Sequence, residues 1–368
     1  MNKLINIRLH TISPIHIGCD DVYEPTSFII DDKKKKLIEF DPLEFVKALN
    51  PEGLKEFNKT TAGDNLLAIF KLIKRLYKPT VKGKEVEVTN FLIEHYNKIL
   101  NMGTFDKKAV INQFIINKTA YNIQNKNPYI PGSSLKGSLR TAYLSILANI
   151  KGIKGYFKDK DKKLEVELLG GNFNTDPFRL VKVSDLVPVQ KIETKIVYAV
   201  NKKKKKSDKD TIADKGEIYQ IFEVIQQGSI FEGILKVDNP LEVSEIKHPV
   251  NAENLLLYAH KFYAGNLKQE VEIMHDALGI KHMAGIYGNA RFKDRFKQNA
   301  FLVRIGRHSG AEAVTIEGNR NIKIMQGKEK SPLWLDHSTT FWLASEEPRP
   351  KSNDNLIPFG WAVIEVVN

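Results

Sequence analysis

Sulfur chemistry is nearly missing from this chain: Cys19 is its single cysteine in 368 residues. One thiol excludes a disulfide framework within the chain and a thiolate-rich metal site, and it suits a reducing compartment. Long apolar runs are missing too. No uninterrupted run approaches the roughly 20 residues of a membrane-spanning helix. The opening residues, MNKLINIRLHTISPIHIG, mix charged and apolar side chains and hold no signal-peptide h-region. A cytoplasmic protein without membrane contact is expected. Catalytic signatures are also lacking. His260, His275 and His282 follow no HExxH or related metal spacing, and no Gly-x-Ser-x-Gly elbow occurs. The acid pairs Asp20–Asp21 and Asp31–Asp32 lie in turn-like sequence, and neighbours on a strand would point to opposite faces. No catalytic residue, metal or cofactor is expected. The last absence is local: residues 107–158 contain nine Lys or Arg and no Asp or Glu.

What is present fits a protein with a real core and an excess of positive charge. Hydrophobic residues make up 42% and charged residues 27%, with a formal net charge of +12. At roughly 150 residues per domain, the length suggests two domains, or one with large insertions. Such a charge favours nucleic acid, an anionic membrane or an acidic protein. Lysine enrichment also follows from genome composition or a hot habitat, so clustering must decide.

Residues 4–12 alternate and read as a strand. Two short apolar runs around DDKKKK read as a hairpin with a charged turn. Asp41 before Pro42 reads as the cap of a helix running to about Leu49. Residues 51–110 read as mostly helical, with Leu66, Leu67, Phe70, Ile73 and Leu76 on one face. Gln113–Ile116 reads as a strand. After Gly132, Leu135, Leu139, Ala142, Tyr143, Ile146 and Leu147 form the stripe of an amphipathic helix. From Leu180 onward strands dominate. Residues 187–200 and 217–225 flank NKKKKKSDKD as a long hairpin with a flexible lysine tip. Strands at 229–237, 300–305, 340–344 and 361–367 follow, with two or three helical pieces over 251–278. Without regular βαβ units, the class is α+β.

Residues 127–143, NPYIPGSSLKGSLRTAY, carry the clearest functional signal. A Pro-rich entry leads into Gly132, Ser133 and Ser134 at a helix start. Lys136 and Arg140, four apart, share a face near the first turn. Exposed amides, nearby cations and no local anions suit a phosphate backbone. Gly137 beside them removes a side chain and permits close approach of a ligand backbone. The glycine spacing is that of a P-loop, but Ser138 and Leu139 stand where Lys and Ser/Thr are required. The bland alternative is a surface helix with a Pro-Gly cap. His16, before Gly18 at the end of the first strand, suits a nucleotide contact or a structural hydrogen bond. Gly306 and Gly310 bracket Arg307, His308 and Ser309 in a turn suited to phosphate or sugar, or to a tight connection. The Lys202–Lys206 run would add sequence-blind attraction near RNA. A metal-free ribonuclease with His16 as general base is conceivable, since RNA supplies its own 2′-OH nucleophile.

Four segments together resemble the RAMP superfamily of CRISPR-associated RNA-binding proteins. They are SPIHIG (13–18), YIPGSSLKGSLRTA (129–142), GEIYQIFEVIQQGSIFEGILKV (216–237) and RIGRHSG (304–310). Their order, the length and the closing IPFGWAVIEV (357–366) look most like the subunit at the crRNA 3′ end of type III-A (Csm) effector complexes. The resemblance implies one or two ferredoxin-like (RRM-type) cores. The first would occupy residues 1–180 with a helical insertion at about 50–110. The second portion would occupy 181–368, with a projecting thumb-like hairpin at about 187–226 and the glycine-rich turn at 304–310. It also implies that His16, Ser133, Ser134, Lys136 and Arg140 line the guide backbone and that the turn flanks it. The implied role is non-catalytic: capping the filament and supporting crRNA 3′-end maturation in antiviral defence. Implied partners are crRNA, target RNA paired with it, a neighbouring RAMP backbone subunit, a small helical subunit and host nucleases. The rival role is a RAMP endoribonuclease acting on guide precursor or target. Related backbone subunits cleave with an Asp after the HIG motif; here Asp31 falls nearest, within a hairpin turn.

Overall fold

Period-two alternation buries Ile5, Ile7 and Leu9 on one face of β1 (Lys3–Thr11). The computed structural model describes residues 3–63, 65–103, 114–155, 161–205, 218–242, 244–281, 290–326 and 331–367. In it β1 is the central strand of a six-stranded antiparallel sheet. The order is β12 (Ala300–Arg304), β17 (Trp361–Val367), β1, β11 (Ile230–Val237) and β7 (Val181–Val183), with β8 (Val187–Pro188) also on β11. Helices α5 (Gly132–Ile150) and α7 (Ala252–Leu278) pack on each other and on the buried face. Leu135, Leu139 and Ala142 of α5 meet Leu255, Ala259 and Phe262 of α7 there.

The second sheet has nine strands. Its order is β2 (Gly18–Val22), β6 (Ile116–Thr119), β10 (Tyr219–Ile225), β9 (Thr194–Lys203), β5 (Gly83–Val88), β4 (Lys36–Phe40) and β3 (Phe28–Asp31). Along β9 also runs β15 (Thr340–Ser345), which holds β16 (Ile357–Pro358). A small ribbon joins β13 (Ile322–Ile324) to β14 (Leu333–Leu335). Helices α1 (Pro42–Lys47), α2 (Pro51–Thr61), α3 (Leu66–Leu76) and α4 (Asn90–Leu100) surround the β3–β5 end, and α6 (Asp161–Leu169) lies against α5. Side-chain caps start the first four: Asp41, Asn50, Asn65 and Thr89 each accept a first-turn amide. Leu67, Phe70, Leu92 and Tyr96 then bury against Phe28, Leu37 and Val86. The class is α+β, as expected.

Several expectations need correction. A boundary at 180 does not separate the sheets, because β1 pairs with β11 and β17, and β6 with β10. Among its described residues the insertion at 50–110 is mostly helical, but β5 lies within it and joins β4 to β9. The strand expected over 187–200 is two: β8 belongs to the first sheet and β9 to the second. The hairpin of β9 and β10 forms, but its described part does not project. β9 is paired on both sides and nearly all its residues are buried. Its supposed tip begins as strand, since Lys202 and Lys203 pair with β15 and Lys204 meets Glu312 at 2.5 Å. Lys206 and the rest of that tip, to 217, lie outside the described residues. Residues 252–278 form one helix rather than two or three pieces. α7 spans both cores, with Leu255 and Phe262 in one and Met274 in the other, so packing overrides the weak point at Gly265.

Candidate nucleic-acid interface

After β1 the chain crosses from the first sheet to the second through residues 13–18. Ile15 exchanges backbone hydrogen bonds with Ile225 (3.0 and 2.8 Å), and the Ile17 carbonyl accepts the Ala120 amide at 2.8 Å. The turn after β12 closes over this crossing. The Arg307 amide donates to the His16 carbonyl at 2.8 Å, and Ser309 Oγ donates to the Gly306 carbonyl at 2.8 Å. Gly306 has φ +86°, and a Cβ there would lie 2.5 Å from the His16 carbonyl oxygen. Close approach as well as backbone angle therefore requires glycine. The structure thus brings His16, Gly306, Arg307, His308 and Ser309 into one corner.

Within that corner the imidazoles face inward. His16 is 1% exposed, donates Nδ1–H to the Glu223 carbonyl at 2.8 Å and packs on Phe222 at 4.4 Å. Burial holds it at about 4, with Arg307 adding and the Glu223 carbonyl opposing. His308 stacks on Trp342 at 4.8 Å and is held at about 3, by burial first and then by Arg307 and His16. Both rings are neutral at pH 7 and neither adds positive charge for a phosphate. Glu223 below them is fully buried, its carboxylate paired with Lys84 at 2.6 Å and Thr194 Oγ1 at 2.7 Å. Arg307 is exposed, with its guanidinium 5.4 Å from the Phe222 ring centroid. It is the group of this corner that can meet an anion.

The first turns of α5 differ from expectation as well. The Gly132 amide donates to Asp185 Oδ1 at 2.8 Å, and the Ser134 amide donates to the Pro131 carbonyl at 3.0 Å. A Cβ on Gly132 would fall on the Val183 carbonyl oxygen. Two of the three amides expected to cradle a phosphate are therefore used within the chain. Ser133 is exposed and Ser134 half-buried. Arg140 pairs with Glu165 (2.6 Å) and Asp176 (2.8 Å) and lies over Phe178 at 5.0 Å. Burial opposes its charge, but the two carboxylates outweigh this and hold its pKa above the usual value. Arg140 is thus a tie between α5, α6 and the turn at Asp176, rather than a free cation. Lys136 has no ion-pair partner among the described residues. Its pKa is lowered, by burial first, with Arg140 and Lys182 adding and Asp176 opposing. Gly137 is exposed, and a Cβ there would meet nothing within 4 Å.

Lys126 is a further exposed cation that sequence reasoning passed over. It lies 5.1 Å over the Tyr121 ring, on the segment that links the two corners. Its signal was the acid-free window itself. Asp31 is committed to its hairpin, where Oδ1 accepts the Lys33 and Lys34 amides at 3.0 Å each. Among the described residues, no group of three or more His, Cys, Asp or Glu could hold a metal ion. Among them, too, no helix is long and apolar enough to cross a membrane.

The profile of the RAMP superfamily matches residues 8–305, which takes in the crossing, α5 and the start of the glycine turn. The chain belongs to the RAMP superfamily. It is 27% identical over 222 residues to the CRISPR system protein Csm5 of Methanocaldococcus jannaschii, covering 55% of this chain and 48% of that one. Csm5 of Streptococcus thermophilus is 27% identical over 197 residues, covering 50% and 52%. The chain thus spans about half the length of the curated relatives it matches. Among solved structures, this RAMP fold resembles a chain of a type III-A Csm–crRNA–target RNA ternary complex (TM-score 0.64, 18% identity, 98% of this chain and 100% of that). It also resembles Csm5 of T. onnurineus (TM-score 0.56, 16% identity, 97% and 99%).

Proposed function

We propose that this RAMP protein is a non-catalytic RNA-binding subunit of a type III-A CRISPR effector. It grips the crRNA backbone near its 3′ end, caps the filament and supports 3′-end maturation. The observation that carries the reading is the agreement of the family match with similarity to Csm5 proteins of two organisms. The strand order β17-β1-β11-β7, with α5 following β1 and α7 following β11, supports a ferredoxin-like core in the first sheet. Lys126, Lys136 and Arg307 supply sequence-blind attraction to phosphates. Gly137 supports close approach there: glycine inside a helix costs about 1 kcal/mol against alanine, and no neighbour among the described residues requires it. The burial of His16 supports a structural role over that of a general base, which must reach a ribose hydroxyl. By this reading the partners are crRNA, its paired target, a neighbouring RAMP subunit, a small helical subunit and host nucleases, all in the cytoplasm.

Purifying the protein from cells that carry a CRISPR array and mapping the 3′ ends of copurifying RNA tests this. Guide-derived RNA with clustered 3′ ends is expected. Absence of guide sequences, or cleavage of guide precursor by the pure protein, would overturn the reading.

A further inference from the structure

A cleft of about 540 Å³ lies beside the start of α5. Its walls include residues Tyr121, Asn122, Ile123, Gln124, Asn125 and Tyr129. We infer that this cleft receives one unpaired nucleobase from a bound RNA strand; the inference rests on the RNA-binding reading above.

Four observations carry it. The first is position. Ala120, just before Tyr121, is bonded to Ile17 next to His16, while Asp185 in the cleft wall accepts the Gly132 amide. The cleft therefore lies on the segment that runs from the glycine-turn corner to α5. The second is shape. Isolated bridges Tyr121–Pro128 and Ile130–Leu186 close the loop, and Asn122 Oδ1 accepts the Gln124 and Asn125 amides at 2.9 and 3.3 Å. Asn125 Oδ1 accepts the Asn127 amide at 2.9 Å. The carbonyl ends of these amides hold the loop, which leaves their –NH₂ groups as donors.

The third is chemistry. Aromatic faces stack on any base, and side-chain amides read its hydrogen-bonding edge. Ile123 is a lining residue 79% exposed, an apolar side chain facing solvent. The carboxylate of Asp185 disfavours a phosphate inside the cleft but accepts from the amino group of a base. The fourth is charge at the mouth. Lys84 and Lys118, tied to carboxylates, and Lys126 lie 5.7, 5.4 and 5.1 Å over the Tyr121 ring; Lys126, the exposed one, must yield its face to the base and can then hold the adjacent phosphate.

The test uses the full chain and a fluorescein-labelled single-stranded RNA of about 20 nucleotides, read by anisotropy across a salt series. Tyr121→Ala is expected to weaken binding about 5- to 150-fold, the loss of one stacked base. The slope against salt should not change, because no phosphate contact is lost. Tyr121→Trp should restore affinity, and fully paired RNA of the same length should not distinguish the variants. Gln124→Ala changes an exposed side chain and should weaken binding in the same sense without touching the Tyr121–Asp21 hydrogen bond. In the wild-type protein, 4-thiouridine placed along the strand should crosslink to the 121–129 loop. Placing the probe in the guide or in the target shows which strand supplies the base. Wild-type affinity in Tyr121→Ala and Gln124→Ala, with crosslinks elsewhere, would overturn the cleft and leave RNA binding standing. Failure of the wild type to bind any RNA would overturn both.

Discussion

Arg140→Ala separates a structural cation from an RNA-binding one. Arg140 is 24% exposed and pairs with Asp176, 22% exposed, and Glu165, 44% exposed. A hydrogen bond between charged groups is worth about 1.5–3 kcal/mol. Solvent screening of a half-buried pair brings the Asp176 contact toward about 1 kcal/mol, and the more open Glu165 contact toward about 0.5. The guanidinium over Phe178 adds about 0.5–1 kcal/mol. The expected destabilisation is about 2 to 2.5 kcal/mol, read from urea unfolding. At 1 M salt the Debye length falls to about 3 Å, so the Glu165 share should vanish while the stacking share persists. RNA affinity should fall little in Arg140→Ala, with an unchanged salt slope. Lys136→Ala should do the opposite: near wild-type stability, and a salt slope lower by about 0.7 for single-stranded RNA. If Arg140→Ala keeps wild-type stability and loses the same slope as Lys136→Ala, the assignment of Arg140 to an internal tie is wrong.

Glu270 lies buried between Arg304 and the Trp361 indole, whose Nε1 donates to it at 2.9 Å. Glu270→Ala strands the Arg304 charge and should cost about 3–5 kcal/mol in chemical unfolding. Gly306→Ala places a Cβ against the His16 carbonyl at φ +86°. It should lower the melting temperature, the backbone angle alone costing about 1–2 kcal/mol, while Gly137→Ala should raise it slightly and weaken RNA binding. The unfolded His16 imidazole takes a proton near 6.5 and the folded one near 4. Between those values the unfolded state holds more protons, so stability is full above pH 6.5 and is lost as pH falls toward 4. The His16 share is about 3 kcal/mol; His308, held at about 3, and His95, held at about 4, add losses of the same sign, so in urea unfolding across that range His16→Phe should remove only its own share.

Signals confined to a few neighbouring residues were legible. Alternation gave β1, DDKKKK gave the β3–β4 hairpin, Asp41-Pro42 gave the start of α1, and the stripe from Leu135 to Ile146 gave α5. These depend on local geometry, which the sequence states directly. Length and partnership were less legible. β8 and β9 read as one strand because Val187 and Thr194–Val200 share the same propensity, and nothing local says that they serve different sheets. α7 reads as two or three pieces because nothing local says that two cores hold one helix on either side. The glycine turn and the SPIHIG crossing are separate signals in the sequence. That they meet, through the Arg307 amide and the His16 carbonyl, is a fact of topology.

The electrostatics of the acid-free window show the same division. Nine cations without an anion read as an open basic surface. Six of them are described, and three of the six are used inside the chain. Lys118 pairs with Glu39 and Asp21, Arg140 with Asp176 and Glu165, and Lys151 donates to the carbonyls of Glu167 and Leu168 at the end of α6. Several of these partners lie just past the window, between residues 165 and 176, where α6 and the turn after it fold back onto α5. A window of sequence counts charge along the chain, whereas a phosphate responds to charge left over after folding. Lys126, Lys136 and Lys154, which make no ion pair among the described residues, are that remainder. Lys126 and Lys136 stand on either side of Gly132, whose own amide is already given to Asp185. The cationic side chains around the start of α5, more than its backbone amides, are therefore what this region would offer to RNA under the proposed function.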